Sequence, residues 1–484
     1  MPDMPFFDHF RSQFDRPDRI ESLRAGLIGE GLTFEGPFGP RTLIYADYVA
    51  SGRALRQVED TILHEVLPLY ANSHTEGSHC SAFITRLRRD ARAVIARHCG
   101  ADDSHATIFT GSGATAGLNR LVHLLGVTDD VAAGRAPLIL IGPYEHHSNI
   151  LPWRESGAEM VEINEDPQRG GPCLAHLEQL LRSAAGRPVI GAFSAASNIS
   201  GILTDTVAVT RLLRQYGARA VWDYAGGAPY LAMDMAVGSD HEKDAIVFSP
   251  HKFIGGPGAS GILIVRKSAL RRDVPVWPGG GTVSYVSPWG QDYAASPEAR
   301  EEAGTPNVVG DIRAALVVLV KEAMGQDWLD ARHTALRARA AVAFAGLPGF
   351  RYAGDRGTAP ALPFFACWLE SACGLPSRHG AMTRALSDHF GIQARSGCAC
   401  AGPYGHRLFG IDRAGSEAIR ARIRAGDDDA RPGFTRFNLS ALMSDEKVDT
   451  ILAAISELAR NPDAYLRTPA NSGIPPEGTP RQTG

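Results

Sequence analysis

No stretch of the sequence approaches the ~20 consecutive apolar residues that a membrane-spanning helix requires, so a bilayer is not an expected partner. A basic block is also missing. The formal net charge is −4 and the charges are spread along all 484 residues, which argues against nucleic acid or an anionic membrane surface. Cysteines are few and odd in number: Cys80, Cys99, Cys173, Cys367, Cys373, Cys398 and Cys400 are scattered and outline no disulfide framework. The opening MPDMPFFDHFRSQFDRPDRIE puts acids and arginines where a secretory signal needs an unbroken apolar core, so a cytoplasmic, reducing location is expected. No internal repeat is visible. What remains is the composition of an ordinary globular chain, 44% hydrophobic and 21% charged. Single domains usually run to ~100–200 residues, so the chain has room for more than one core.

Residues 1–42 are mixed, polar and interrupted by breakers, and read as an N-terminal arm. From 43 onward, short runs rich in Val, Ile and Phe alternate with helix-length segments. The strand candidates are 106–110, 137–141, 159–163, 188–193, 218–222, 245–248 and 261–265. Strands alternating with helices imply crossover connections and a mostly parallel sheet covered on both faces. The link GGPG at 255–258 is too short for a crossover helix, so 245–248 and 261–265 are expected to pair antiparallel. Helical periodicity resumes at 311–322 and 328–344. The expected division is a large α/β domain over 43–320, a smaller C-terminal α+β domain over 321–465, and a disordered tail over 466–484 whose apolar content is too low to order it.

In such sheets a ligand sits beyond the carboxyl ends of the strands, so the residues after each strand carry the functional reading. After 106–110 comes GSGATAGLNR, a glycine turn opening a helix whose free N–H groups suit an anion, with Thr115 adding a hydroxyl. The spacing is not that of a dinucleotide fingerprint, and no acidic residue closes a strand ~20 residues on. After 137–141 comes PYEHHSNILPW. His146 and His147 are adjacent, so their side chains diverge, and with no third ligand nearby a metal site is not expected. One of them can stack on a flat ligand or act as an acid/base. Asn198 follows 188–193, and Asp223 follows 218–222 directly, where an acid is either a helix cap or a functional carboxylate. Ser249, His251 and Lys252 follow 245–248. A phosphate-ready turn, a planar stacker, a carboxylate for a ring nitrogen and a lysine for an aldehyde are the parts of a pyridoxal 5′-phosphate (PLP) site.

The wording and order of these motifs resemble the class V aminotransferase superfamily, and within it the cysteine desulfurase and selenocysteine lyase branch. The matching stretches are YADYVASGR (45–53), YANSHTEG (70–77), GATAGLN (113–119), EHHSNILPW (145–153), SNISG (197–201), VWDYAGGAP (221–229), FSPHKFIGGPGASGILIV (248–265), EEAGTPNVVG (301–310), ARSGCACAGP (394–403) and TRFNLS (435–440). The resemblance implies fold type I, a PLP cofactor and a homodimer. It implies that Lys252 forms the Schiff base and moves protons at the substrate Cα, that Asp223 pairs with the pyridine nitrogen, and that His146 stacks on the ring. It places Asn198 near the ring hydroxyl, and Thr115, Ser249 and His251 on the phosphate. Thr305 reaches the phosphate bound by the partner subunit. Arg436 takes the substrate carboxylate, with Arg395 a second candidate. Cys400 falls where the branch keeps a sulfur-accepting thiolate, which implies L-cysteine as substrate and a sulfur-acceptor protein as partner.

Two departures stand against the sulfur chemistry. The family often has Gln or His three positions after the aspartate, where this chain has Gly226, and Cys398 and Ala399 stand where some relatives carry histidines. The readings that remain open are a cysteine desulfurase or related C–S lyase, and a class V aminotransferase, epimerase or other lyase in which Cys400 only packs. A non-catalytic binding module on the same fold is a third, and an intact Lys252 argues against it. Cys398 and Cys400 lack the further ligands of a zinc site.

Overall fold

A computed structural model describes residues 5–73, 75–184, 186–355, 359–370, 379–427 and 430–466. Apart from Leu466, the expected 466–484 tail lies outside the described residues.

The apolar runs form a seven-stranded sheet in the spatial order His105–Gly111, Gly261–Arg266, Ala245–Phe248, Arg219–Asp223, Val189–Ser194, Leu138–Ile141, Glu159–Glu162. Gly261–Arg266 runs antiparallel to both neighbours, including Ala245–Phe248 as the short GGPG link requires; the other pairings are parallel. Alternate residues of each strand face opposite ways, and both faces are dry. Leu140, Phe193, Trp222, Ile246 and Ile264 enter one core, while Ile141, Ala192, Val221, Val247 and Val265 enter another. Helix Val308–Met324 is buried almost all round within the first core, and helix Gly113–Leu124 covers the second.

The N-terminal residues pack closely on the rest of the molecule. Phe7, Phe10, Phe14 and Leu23 are buried in the first core. A four-stranded antiparallel sheet follows later in the chain, in the order Phe350–Tyr352, Phe364–Leu369, Phe434–Asn438, Arg395–Gly397, with Leu386, Val448 and Ile455 among its core residues. Ile44–Tyr45 pairs parallel with Ile392–Gln393, which brings residue 47 beside this second sheet. Among the described residues no helix is long and apolar enough to cross a membrane.

Candidate active site

The parallel strands end around a cavity of about 180 Å³. Thr115, His146, Asn198, Asp223, Ser249, His251 and Lys252 all line it, together with Gly226. Seven of the expected site residues are therefore in one place, although they come from five separate strand ends.

One end of the cavity is made of backbone. Ala114 N–H, at the start of helix Gly113–Leu124, donates to Ser249 Oγ at 2.9 Å. Gly113 has φ +62°, and a Cβ there would stand 2.8 Å from Ser249 Oγ and 3.0 Å from His251 Cε1, so only glycine allows this approach. Thr115 Oγ1 pairs with Ser148 Oγ at 2.7 Å. Burial and then the nearby Lys252 charge push His251 down to about 4, leaving its ring neutral at physiological pH.

The middle carries the titratable pair. Asp223 is buried and accepts from Ala225 N–H at 2.7 Å. Burial raises its carboxyl and the Lys252 charge partly opposes that rise. Lys252, on the short turn Pro250–Lys252, is pushed down to about 8 by burial, against the attraction of Asp223. No hydrogen bond or ion pair claims its Nζ among the described residues. His146 Nδ1 accepts from Ser148 N–H at 3.1 Å, and burial takes its ring down to about 3. The neutral ring therefore carries its proton on Nε2. Behind it Glu145 is buried, accepting from Ser194 N–H (2.8 Å), Ser194 Oγ (2.6 Å) and Asn149 Nδ2 (2.6 Å), and burial raises it to about 7. Its carboxylate ties two strand-end loops together.

The far end is built from distant chain segments. Asn198 Nδ2 donates to the Ala399 carbonyl at 2.8 Å, while its Oδ1 is buried without a partner. A Cβ on Gly226 would sit 3.1 Å from the Ala196 carbonyl and 3.7 Å from Asn198 Cβ, so a side chain at this position is tight against the Ala196 carbonyl, which would have to give by a few tenths of an ångström. Arg436 is buried and donates to Asn198 O at 3.2 Å and to Asp47 Oδ1 at 3.0 Å. Arg395 donates to Asp47 Oδ2 at 2.9 Å. Neither arginine lines the 180 Å³ cavity; Arg436 touches Asn198 of its wall, and Arg395 joins Arg436 through Asp47.

Cys400 is exposed and lines a neighbouring cleft of about 430 Å³, whose walls share Thr115, His146 and Ser148 with the first cavity. Ala399 (φ +45°) and Cys400 (φ +57°) are both left-handed, a backbone that residues other than glycine seldom adopt. His147 holds this loop from both sides: its N–H donates to Cys400 O at 2.8 Å, and its Nε2 accepts from Gly402 N–H at 2.9 Å. Thr305 stands exposed before helix Val308–Met324, outside both spaces.

Sequence reasoning assigned no role to Asp47, Glu145 or His147. All three lie inside quoted motifs, and the adjacency of His147 to His146 was the one further signal for the third.

Compared with known proteins, residues 44–450 match the family model for aminotransferase class-V. The chain belongs to this family. Class V aminotransferases are PLP-dependent enzymes, and the observed sheet is consistent with fold type I. Relatives within it include a cysteine desulfurase of Salmonella agona, 28% identical over 86% of this chain and 94% of that protein. A probable cysteine desulfurase of Vibrio cholerae is 29% identical over 85% and 93%. Among solved structures, a cysteine desulfurase from Thermococcus onnurineus superposes with a TM-score of 0.72 at 23% identity, covering 91% of this chain and 98% of the other. One from Escherichia coli gives 0.67 at 22%, over 93% and 98%. Likeness at that identity speaks for the fold.

Proposed function

We propose that this class V enzyme is a PLP-dependent cysteine desulfurase, converting L-cysteine to L-alanine with the sulfur left on Cys400 as a persulfide. The observation that carries the reading is the juxtaposition of an unclaimed amine, Lys252, facing the cavity beside the buried carboxylate Asp223, with an exposed cysteine across a shared wall. The relatives named cysteine desulfurase support it.

The residues present fit PLP. The glycine-only approach at Gly113, with Ser249, His251 and Thr115, makes an anion cradle for a phosphate at a helix start. Asp223 suits a pyridine nitrogen, Lys252 an aldehyde, and neutral His146 the ring face. Gly226 offers no side chain, so the partnerless Oδ1 of Asn198 is the group left to meet the ring hydroxyl. When bound, PLP supplies an electron sink for bonds breaking at the substrate Cα. The chain's own residues do the rest. Arg436 holds the substrate α-carboxylate by its planar fork. Lys252, near neutrality in its titration, moves protons at Cα. Cys400 Sγ, as thiolate, bonds to the substrate sulfur as that sulfur leaves its carbon.

A homodimer belongs to this reading because the resemblance assigns Thr305 to the partner subunit's phosphate, and Thr305 is exposed and does not line its own chain's cavity. A sulfur-acceptor protein and a cytoplasmic location complete it. The test supplies L-cysteine and measures alanine, sulfide and protein-bound persulfide. Cys400→Ser is expected to abolish persulfide and slow turnover, and Cys398→Ala to do much less, with cofactor absorbance retained in both. Full cysteine turnover in both variants would make the enzyme a C–S lyase acting without Cys400. Transamination or racemisation of another amino acid, with none of cysteine, would end the sulfur assignment.

A further inference from the structure

Arg395 and Arg436 are directly opposite each other on adjacent antiparallel strands, so their side chains leave the same face of the second sheet. Like charges in that relation repel. One carboxylate answers both: Asp47 gives Oδ1 to Arg436 at 3.0 Å and Oδ2 to Arg395 at 2.9 Å. Asp47 is mostly buried, with 12% of its side chain exposed, whereas Arg395 is 47% exposed. Its position is fixed by the backbone on either side of it. Ala46 N–H donates to Gln393 O, Asn438 N–H donates to Ala46 O, and Tyr48 N–H donates to Asn438 Oδ1. Arg436, meanwhile, keeps a buried Nε with no partner. Two guanidinium groups and one carboxylate sum to a single positive charge beside the cavity.

We propose that Asp47 sets substrate specificity by charge: it cancels one of the two paired arginines, so the site has one positive charge for the α-carboxylate and none for a second. This rests on the reading that Arg436 takes that carboxylate. An amino acid with an uncharged side chain, such as cysteine, neutralises the trio. A dicarboxylic amino acid leaves an uncompensated negative charge next to Asp47, in surroundings where like charges are poorly screened. The arrangement therefore discriminates by repulsion as well as by attraction. Asp47 is a positioning residue for Arg436 and also the negative element of the filter.

L-aspartate and L-asparagine have the same shape and differ by one charge, and neither has sulfur to give, so their binding is independent of Cys400. Their dissociation constants are measured by calorimetry on the holoenzyme. Wild type is expected to favour asparagine. Asp47→Asn should shift the aspartate-to-asparagine affinity ratio toward aspartate by about tenfold, and the double variant Asp47→Asn with Arg395→Gln should return it to the wild-type value. Arg395→Gln alone should move the ratio the opposite way, which keeps the test available if Asp47→Asn folds poorly. A purely structural Asp47 would weaken both ligands alike. A ratio within roughly threefold of wild type in Asp47→Asn and in Arg395→Gln overturns the filter. Arg436→Gln separates the layers: if it weakens both ligands while the ratios stand still, only the filter is lost. If it weakens neither, the carboxylate role of Arg436 falls, and the filter with it.

Discussion

Lys252 and Lys321 invite comparison because burial pushes both ammonium groups down to about 8. Their surroundings differ in what else claims the nitrogen. Lys321, on helix Val308–Met324, donates to the carbonyls of Ala228, at 2.8 Å, and Leu231, and lies 5.9 Å from the centre of the Phe253 ring. Those bonds pin the turn that follows Asp223. Lys252 has no such partner among the described residues, and its strongest attraction is the buried Asp223 itself. A depressed lysine pKa reports burial. An amine that is both depressed and unclaimed reports a site that can do chemistry.

The largest expected effect therefore separates the two lysines. Lys252→Ala should keep the fold and lose cofactor attachment and all turnover. In the wild type, borohydride reduction followed by peptide mapping should place the pyridoxyl group on Lys252. A label on Lys321 would reverse the comparison. A smaller effect is expected from Lys252's buried neighbour. Asp223→Asn removes the charge that favours a protonated ring nitrogen. It should lower kcat by about a hundredfold or more, ~2.7 kcal/mol of barrier, with PLP still bound. A kcat within about threefold of wild type, under ~1 kcal/mol, would take Asp223 out of that role.

The two ends of the cavity were unequally legible. The sheet end could be read because each of its residues follows a short apolar strand directly: Asp223 closes Arg219–Asp223, and Ser249 follows Ala245–Phe248. The mostly parallel sheet followed from the helix-length links between strands, and the antiparallel pairing of Ala245–Phe248 with Gly261–Arg266 from the short GGPG link. The far end could not be read this way. Asp47, Arg395 and Arg436 meet through a two-residue parallel pairing and a cross-strand register, neither of which has a local signature. The closeness of Cys400 to the site depends on His147 and Asn198 gripping its loop, and on two left-handed residues with no glycine to announce them. The N-terminal segment was similarly hidden, because its polar composition masks three phenylalanines at 7, 10 and 14 that share one core. Glu145 escaped notice because a carboxylate made useful by burial looks like any acid in the chain.

The smallest effect sharpens the Lys321 side. Lys321 titrates at about 8 in the fold against 10.5 as its ordinary value. Between those two pH values the unfolded chain binds the extra proton, so stability rises with pH across that window, by about 1.4 kcal/mol per pH unit for one proton. Below pH 8 the fold carries the full cost of a buried charge, on the order of 3 kcal/mol. Lys321→Met removes that cost but strands the Ala228 and Leu231 carbonyls, which costs about 1–3 kcal/mol. Near pH 7 the two terms nearly offset, and the variant should unfold at a urea concentration close to that of wild type. Above pH 10.5 only the lost hydrogen bonds remain, because the wild-type amine is then largely neutral in both states and still donates. The variant should be the less stable protein there, and its urea midpoint should rise less between pH 8 and pH 10.5. Equal slopes in the two proteins would mean that Lys321 keeps an ordinary affinity for its proton, and that Lys252 alone carries the depressed value.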